Sequence, residues 1–169
     1  MKIKDLYRKR RPAEIILYTA IILVGIGLDQ LTKYLAVTYL KDIGSVPLWQ
    51  DVLHLTYAEN PGAAFGILAD APWVFNSISI VATSAILLYL YLGHAENTLY
   101  AVGLSMIASG GIGNLIDRLS LAYVVDFIDF TLIDFAIFNG ADSFVCVGAG
   151  LLILALILDL KKEWKEAKK

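Results

Sequence analysis

Four long apolar segments constrain the fold of this chain more than any other feature of its sequence. They cover approximately residues 13–35, 73–92, 98–119 and 143–160. Each is long enough to cross the hydrocarbon core of a bilayer as a helix of about 20 residues. Because 58% of the residues are hydrophobic and only 18% are charged, the composition also favours a membrane protein over a water-soluble domain. We therefore predict an all-α membrane protein with four transmembrane helices, folded as a single membrane domain over residues 1–169.

Basic residues cluster at the two ends of the chain and indicate its orientation. Residues 1–11 and 161–169 contain 11 of the 14 lysines and arginines. Basic segments next to a span tend to stay in the cytoplasm, so both termini are predicted to be cytoplasmic, as an even number of spans permits. Anionic lipid explains these ends better than nucleic acid, since neither comes with a folded polar domain. The loops at about 36–72 and 120–142 are then predicted to face outward.

The first outer loop carries the pattern of a β-strand. DVLHLTYAEN, residues 51–60, alternates apolar and polar side chains, as a strand with one exposed face does. A turn and small residues follow in NPGAAFG. We predict a small extracytoplasmic β-sheet on the outer membrane surface, with Trp49 and Trp73 in the interfacial aromatic belt.

Polar residues in three of the spans are predicted to meet at one membrane face. Polar groups in a span are costly to bury, so their position along the helix is informative. The first and third spans carry them after the apolar run, and the fourth carries them just before it, which places all of them at outward ends. These residues are Asp29, Gln30 and Lys33 in the first span, Asn114, Asp117 and Arg118 in the third, and Asn139 and Asp142 before the fourth.

Some of these polar residues also have a purely structural explanation. Asp29 and Lys33 are four residues apart, so they form either an ion pair on a helix surface or part of a site. Asn60, in NPG, is a common turn residue. Asp129 and Asp134 are expected to face water near the headgroups.

Asp126 and Asp142 differ from the other carboxylates because each is embedded in apolar sequence near the membrane boundary. Burial raises the pKa of a carboxyl group, and a second carboxyl nearby raises one of the two further. A pair that shares one proton can activate water with one member and donate a proton with the other. These two aspartates therefore predict acid–base chemistry of the kind that aspartic proteases use.

Other hydrolytic chemistries fit the sequence poorly. It contains neither the HExxH motif of zinc proteases nor the GxSxG motif of serine hydrolases. Cys146 is the only cysteine, which excludes a disulfide framework and a thiolate metal cluster. We predict an enzyme without a metal or cofactor.

Five motifs in this order resemble the lipoprotein signal peptidase (signal peptidase II) family. They are DQLTK (29–33), NPGAAFG (60–66), GGIGNLIDR (110–118), VVDFIDF (124–130) and FNGADS (138–143). The resemblance covers nearly the whole chain and leaves out only the basic ends. It implies an aspartyl endopeptidase of the bacterial cytoplasmic membrane, with its active site at the extracytoplasmic face. Such an enzyme cleaves the signal peptide of a prolipoprotein just before a cysteine that already carries diacylglycerol.

The resemblance also implies roles for individual residues. It makes Asp126 and Asp142 the catalytic dyad, with a mobile flap over the site. Its partners are diacylglyceryl-modified prolipoproteins, membrane lipids and globomycin-type inhibitors. Gly140 stands where the family more often has a bulkier apolar residue, which is expected to loosen the segment that holds Asp142. The supporting or substrate-binding positions are Asp29, Lys33, Asn60, Gly62, Asn114, Asp117, Arg118, Asn139 and Ala141, and we expect the three asparagines to hydrogen-bond the unwound substrate backbone.

A small proton-coupled transporter is the alternative function, because carboxylates within spans are typical of transporters. Transport sites, however, tend to lie near the middle of the membrane, between repeated halves. Here the polar residues are predicted at one face and the halves do not repeat. A scaffold packed through small residues would leave the polar motifs unexplained.

Overall fold

The computed structural model describes residues 11–62, 72–92 and 97–168. The basic residues before position 11, the last residues of NPGAAFG and residues 93–96, in the link that the sequence predicts to be cytoplasmic between the second and third spans, lie outside these ranges. Within them the protein is mostly helical and has one small sheet. The elements are α1 (Pro12–Leu40), β1 (Ser45–Trp49), β2 (Leu53–Asn60), α2 (Pro72–Tyr91), α3 (Thr98–Leu121), β3 (Val124–Asp129), a 3₁₀ turn (Thr131–Ile133) and α4 (Gly140–Glu166).

Among the described residues, α1, α3 and α4 are long and apolar enough to cross a membrane. The described apolar stretch of α2, Asn76–Tyr91, is shorter than a full span. Two helices extend past the predicted spans: α1 continues to Leu40, so the predicted outer loop begins inside a helix, and α4 begins at Gly140, before residue 143.

The extra turn of α1 forms because its buried face continues past the apolar run. Its buried residues recur every three or four positions, which places them on one side of the helix. The helix starts with Pro12 in its first turn, and the carboxylate of Glu14 accepts a hydrogen bond of 3.2 Å from the backbone N–H of Arg11. The buried face consists of Tyr18, Ile22, Gly25, Asp29, Lys33, Ala36 and Leu40.

Helix α3 lies at the centre of the helical part and contacts each of the other three helices. Small residues make the close approach to α4 possible. A Cβ atom on Gly103 would lie 2.8 Å from the carbonyl oxygen of Gly148, and one on Gly110 would overlap the carbonyl oxygen of Ala141. This packing fixes the start of α4 against the last turns of α3.

The sheet is antiparallel, with the strand order β1-β2-β3. The first two strands form a hairpin, and the second of them, β2, is the strand that the alternating pattern predicts. The third comes from VVDFID, which the sequence suggested only as a connection between spans. Its pairing places Val124 opposite Asn60 and Asp126 opposite Ala58.

The end of α1 packs against the sheet. Ala36 and Leu40 form one apolar cluster with Val125 and Phe127 of β3, and all four are buried. Burying these side chains stabilises the sheet on the helices by the hydrophobic effect. It also holds β3 beside the polar ends of α1, α3 and α4, where the candidate site lies.

Candidate active site

Asp126 lies in the middle of β3 and is only 2% exposed. Its Oδ2 accepts a hydrogen bond of 2.9 Å from the side-chain amide of Asn60 at the end of β2. Its Oδ1 accepts one of 2.6 Å from the side-chain amide of Asn139. The pairing of β2 with β3 therefore brings Asn60 to a carboxylate that lies more than 60 residues later in the chain.

The surroundings of Asp126 raise its pKa to about 6. Burial is the main cause, because a carboxylate loses hydration when it leaves water. The neighbouring Asp142 raises this pKa further, whereas the hydrogen bonds from Asn60 and Asn139 oppose the rise. The carboxyl group of Asp126 is thus able to hold or release a proton not far from neutral pH.

Asp142 lies in the first turn of α4, where Asn139 caps the helix. The side-chain oxygen of Asn139 accepts a hydrogen bond of 3.0 Å from the backbone N–H of Asp142. In return, Oδ2 of Asp142 accepts one of 3.2 Å from the backbone N–H of Asn139. Its other oxygen, Oδ1, accepts a hydrogen bond of 2.8 Å from the side-chain amide of Asn114.

Asn139 therefore contacts both carboxylates. Its side chain reaches Asp126 and its backbone N–H reaches Asp142, while the residue itself is fully buried. The side-chain nitrogen also lies 3.0 Å from Oδ1 of Asn114 and 3.3 Å from the carbonyl oxygen of Val125. One fixed residue thus joins the two aspartates, which belong to different elements.

A buried group of charges lies directly behind this pair. Nζ of Lys33 is 2.9 Å from Oδ2 of Asp29 and 2.9 Å from Oδ2 of Asp117. The side chains of Lys33 and Asp29 are 4% and 1% exposed, which excludes the surface ion pair that their spacing also permitted. Gln30 joins the group through its side-chain nitrogen, 3.0 Å from Oδ1 of Asp117. Gln30 is one of the polar residues that the sequence predicts to meet at this face, although no role in the site was predicted for it.

Asp126 and Asp142 line a cavity of about 610 Å³. Most of its wall is apolar, and Phe135 and Phe138 pack edge to face with their ring centroids 5.9 Å apart. Among the described residues, the polar part of the wall consists of the two aspartates with Asn60, Asn114, Arg118 and Ser143, and the rest consists of Val124, Phe135, Ala136, Ile137, Phe138, Val145, Cys146 and Val147.

Arg118 connects the cavity to the turn that follows β2. Its Nη2 donates a hydrogen bond of 3.4 Å to the carbonyl oxygen of Gly62. The backbone N–H of Gly62 in turn donates one of 3.1 Å to the side chain of Asn60. The turn that sequence analysis assigned to Asn60 is therefore present, and its residues also contact the site.

The structure places all the sequence-predicted site residues in one connected network. Ala141 enters it through its backbone N–H, which donates a hydrogen bond of 2.8 Å to Oδ1 of Asp29. Two further acidic residues lie outside the network: Asp134 is exposed, as expected, whereas Asp129 is partly buried and accepts a hydrogen bond of 2.7 Å from Thr56. No group of three His, Cys, Asp or Glu side chains suited to a metal ion occurs within the described ranges.

Two carboxyl groups that share a cavity and lie in a largely apolar surrounding are suited to acid–base hydrolysis. Combined with helices of membrane-spanning length, they define a membrane-bound peptidase of the aspartic type as the class that fits the fold and the site. Comparison with known proteins then identifies the family.

Residues 21–158 match the family model described as signal peptidase (SPase) II. The lipoprotein signal peptidase of Caldanaerobacter subterraneus subsp. tengcongensis is 51% identical over 135 residues, which cover 79% of this chain and 92% of the relative. That of Brevibacillus brevis is 46% identical over 145 residues, covering 86% and 97%. The fold is similar to that of a bacterial membrane enzyme solved by the in meso method at 2.3 Å resolution, with a TM-score of 0.80, 32% identity and coverage of 92% and 94%. The chain belongs to the signal peptidase II family.

Proposed function

We propose that this protein is a membrane aspartyl endopeptidase that removes the signal peptide from diacylglyceryl-modified bacterial prolipoproteins, cleaving just before the lipidated cysteine. The observation that carries this proposal is the pair Asp126 and Asp142 in the wall of one cavity, joined through Asn139. Membership of the family supports the same reaction, since the relatives are named lipoprotein signal peptidases.

The two carboxyl groups would hydrolyse the peptide bond with one shared proton. The ionised carboxylate takes a proton from a water molecule, and the oxygen of that water attacks the scissile carbonyl carbon. The protonated group donates its proton to the carbonyl oxygen, which gives a tetrahedral diol. When the carbon–nitrogen bond breaks, a proton passes to the leaving amine and the diol returns one to the dyad. The pair titrates as a unit, and the pKa of about 6 at Asp126 keeps a shared proton available near neutral pH.

The neighbouring asparagines divide into two roles. Asn139 is fully buried and does not line the cavity, so we assign it to the orientation of the carboxylates and not to substrate binding. Asn60 and Asn114 line the cavity and also donate to the dyad. We propose that each also hydrogen-bonds the substrate backbone where it has unwound for cleavage.

The apolar wall of the cavity suits the chemistry of the substrate. A prolipoprotein presents an apolar signal segment on one side of the scissile bond and a lipidated cysteine on the other. Apolar side chains such as Phe135 and Val147 favour such groups by the hydrophobic effect. Arg118 is the cation of the wall and is suited to hold a backbone carbonyl of the substrate.

We propose the following arrangement in the membrane. The chain forms a single domain over residues 1–169 with four transmembrane helices, including α2, in the bacterial cytoplasmic membrane. Both termini are cytoplasmic, in keeping with their basic residues, and the site opens at the extracytoplasmic face. Membrane lipids and globomycin-type inhibitors are the further partners, the inhibitors by occupying the same cavity.

Dependence on the lipid is the sharpest test of this function. The purified protein in detergent is incubated with a diacylglyceryl-modified prolipoprotein and, separately, with the same precursor without its lipid. We expect cleavage just before the lipidated cysteine, seen as a size shift and located by mass spectrometry, and little cleavage of the unmodified precursor. Equal cleavage of both precursors, or cleavage at another bond, contradicts the proposal.

A further inference from the structure

The buried charges behind the dyad need an explanation beyond stability. Lys33, Asp29 and Asp117 lie with their side chains no more than 4% exposed. Removing charges from water is costly, and buried ion pairs are often no more stabilising than apolar side chains of similar size. We call Asp29, Lys33 and Asp117 the ion triad.

Each carboxylate of the ion triad holds the backbone next to one dyad aspartate. Oδ1 of Asp29 accepts a hydrogen bond of 2.8 Å from the backbone N–H of Ala141, the residue directly before Asp142. This contact joins α1 to the first turn of α4. It fixes the peptide from which the Asp142 side chain extends.

The second carboxylate makes the equivalent contact to the other aspartate. Oδ2 of Asp117 accepts a hydrogen bond of 3.1 Å from the backbone N–H of Val125, the residue directly before Asp126. This contact joins α3 to β3. It fixes the peptide from which the Asp126 side chain extends.

Lys33 connects the two carboxylates and adds a third contact to the dyad. Its Nζ donates a hydrogen bond of 2.9 Å to Oδ1 of Asn114. The side-chain nitrogen of Asn114 donates one of 2.8 Å to Oδ1 of Asp142. Because the amide of Asn114 is held at its oxygen, its nitrogen is directed at the carboxylate.

We propose that the ion triad is the positioning device of the dyad: through the N–H groups of Ala141 and Val125 it sets the distance and orientation of the two carboxyl groups. This inference rests on the proposed function. It makes Asp29, Lys33 and Asp117 positioning residues that act through the backbone and through Asn114, without contact with the substrate. A shift of about 1 Å in a reacting group can lower a rate about 100-fold, so such a device acts on kcat.

Two replacements of Asp117 separate positioning from helix packing. Asp117→Asn keeps an oxygen that accepts from the Val125 N–H, whereas Asp117→Leu has a similar size and no acceptor. Lys33 stays paired with Asp29 in both variants, so neither substitution leaves a buried charge without an opposite charge. In both variants the side-chain nitrogen of Gln30 keeps the carbonyl oxygen of Gly113 as a hydrogen-bond partner, at 3.2 Å in the wild-type structure. We expect Asp117→Leu to lower kcat about 100-fold with KM unchanged, and Asp117→Asn to keep kcat within about tenfold of wild type.

Ser109→Ala is the matched control for packing. Ser109 is 1% exposed and its hydroxyl donates a hydrogen bond of 3.2 Å to the carbonyl oxygen of Ile22, which joins α3 to α1 away from the dyad. We expect kcat to stay at the wild-type value. Equal kcat in Asp117→Leu and Asp117→Asn, or a loss in Asp117→Leu that lies entirely in KM, overturns the proposal.

Two further measurements cover the remaining outcomes. If Asp117→Leu does not fold, Asp29→Asn and Asp29→Leu make the same comparison at Ala141, and equal kcat overturns the proposal there. The rate of hydrogen exchange at the Val125 amide measures its contact with residue 117 independently of catalysis. It should accelerate in Asp117→Leu and stay slow in Asp117→Asn, and equal exchange contradicts the proposal even if the substrate has been misidentified. Failure of wild type to cleave the lipidated precursor contradicts the proposed function instead.

Discussion

Replacing Asn60 by leucine is expected to shift the pH dependence of cleavage towards alkaline pH. The side-chain amide of Asn60 donates a hydrogen bond of 2.9 Å to Oδ2 of Asp126 and thereby favours the ionised form of this carboxyl. Leucine has a similar size but no donor, so the pKa of Asp126 rises further. The enzyme then keeps the shared proton of its dyad to a higher pH.

The size of the shift follows from the strength of that hydrogen bond. A hydrogen bond to a charged group contributes about 1.5 kcal/mol at the low end of its range. One pKa unit corresponds to about 1.4 kcal/mol, so the loss raises the pKa by about one unit. The wild-type pKa of Asp126 is about 6, which places the alkaline limb of the variant near pH 7.

The assay is the pH profile of kcat/KM for cleavage of a lipidated prolipoprotein. Thr56→Val is the matched control, because Thr56 lies on the same strand and donates a hydrogen bond of 2.7 Å to Asp129, a carboxylate outside the cavity wall. The control should keep the wild-type limb. An alkaline limb that stays in place in Asn60→Leu, or moves to lower pH, refutes the reasoning.

Three further predictions concern stability. A Cβ on Gly140 would make only ordinary contacts of 3.5 Å or more. Gly140→Ala should therefore raise the free energy of unfolding by about 0.4–1 kcal/mol and retain cleavage. Lower thermal stability of this variant would contradict the prediction. Gly110→Ala should lower the thermal midpoint, because its Cβ would overlap the carbonyl oxygen of Ala141, whereas Gly150→Ala, with open space around it, should not. Because the pKa of Asp126 is raised from 3.8 to about 6, its contribution to stability is present below pH 3.8 and is lost as pH rises through 6. Wild type should therefore lose about 3 kcal/mol relative to Asp126→Asn over this interval, and a constant difference in thermal midpoint would exclude it.

The helices could be predicted from the sequence because each is a long apolar run, but their ends could not. Helix α1 continues to Leu40 because Ala36 and Leu40 are buried under the sheet, and the burial depends on strands that lie far away in the chain. Helix α4 begins at Gly140 because Asn139 caps it. A cap inside a functional motif is easily assigned to the loop before the helix.

The strand Val124–Asp129 could not be predicted, for a physical reason. Its first four residues are all buried, so the alternation that identifies a half-exposed strand is missing. It also pairs with β2, more than 60 residues earlier, and no local pattern reveals such a partner. The strand matters because it carries Asp126.

Sequence analysis identified the side-chain types of the site but not how they are connected. The convergence of polar residues followed from their positions along the spans. The spacing of Asp29 and Lys33 left a surface pair and a buried site equally open, and their burial beside Asp117 of another helix resolves the question. The expected effect of Gly140 on the segment before Asp142 is a prediction that the Gly140→Ala variant tests.

The central claim is that Asp126 and Asp142 together carry out the hydrolysis. The most direct measurement is the initial rate at which wild type, Asp126→Asn and Asp142→Asn cleave a diacylglyceryl-modified prolipoprotein. Asp129→Asn is the control, because Asp129 lies on the same strand as Asp126. Asparagine keeps the shape of each carboxyl but cannot cycle a proton, so both dyad variants should lose cleavage while Asp129→Asn retains it. Cleavage by either dyad variant at the wild-type rate would contradict the account.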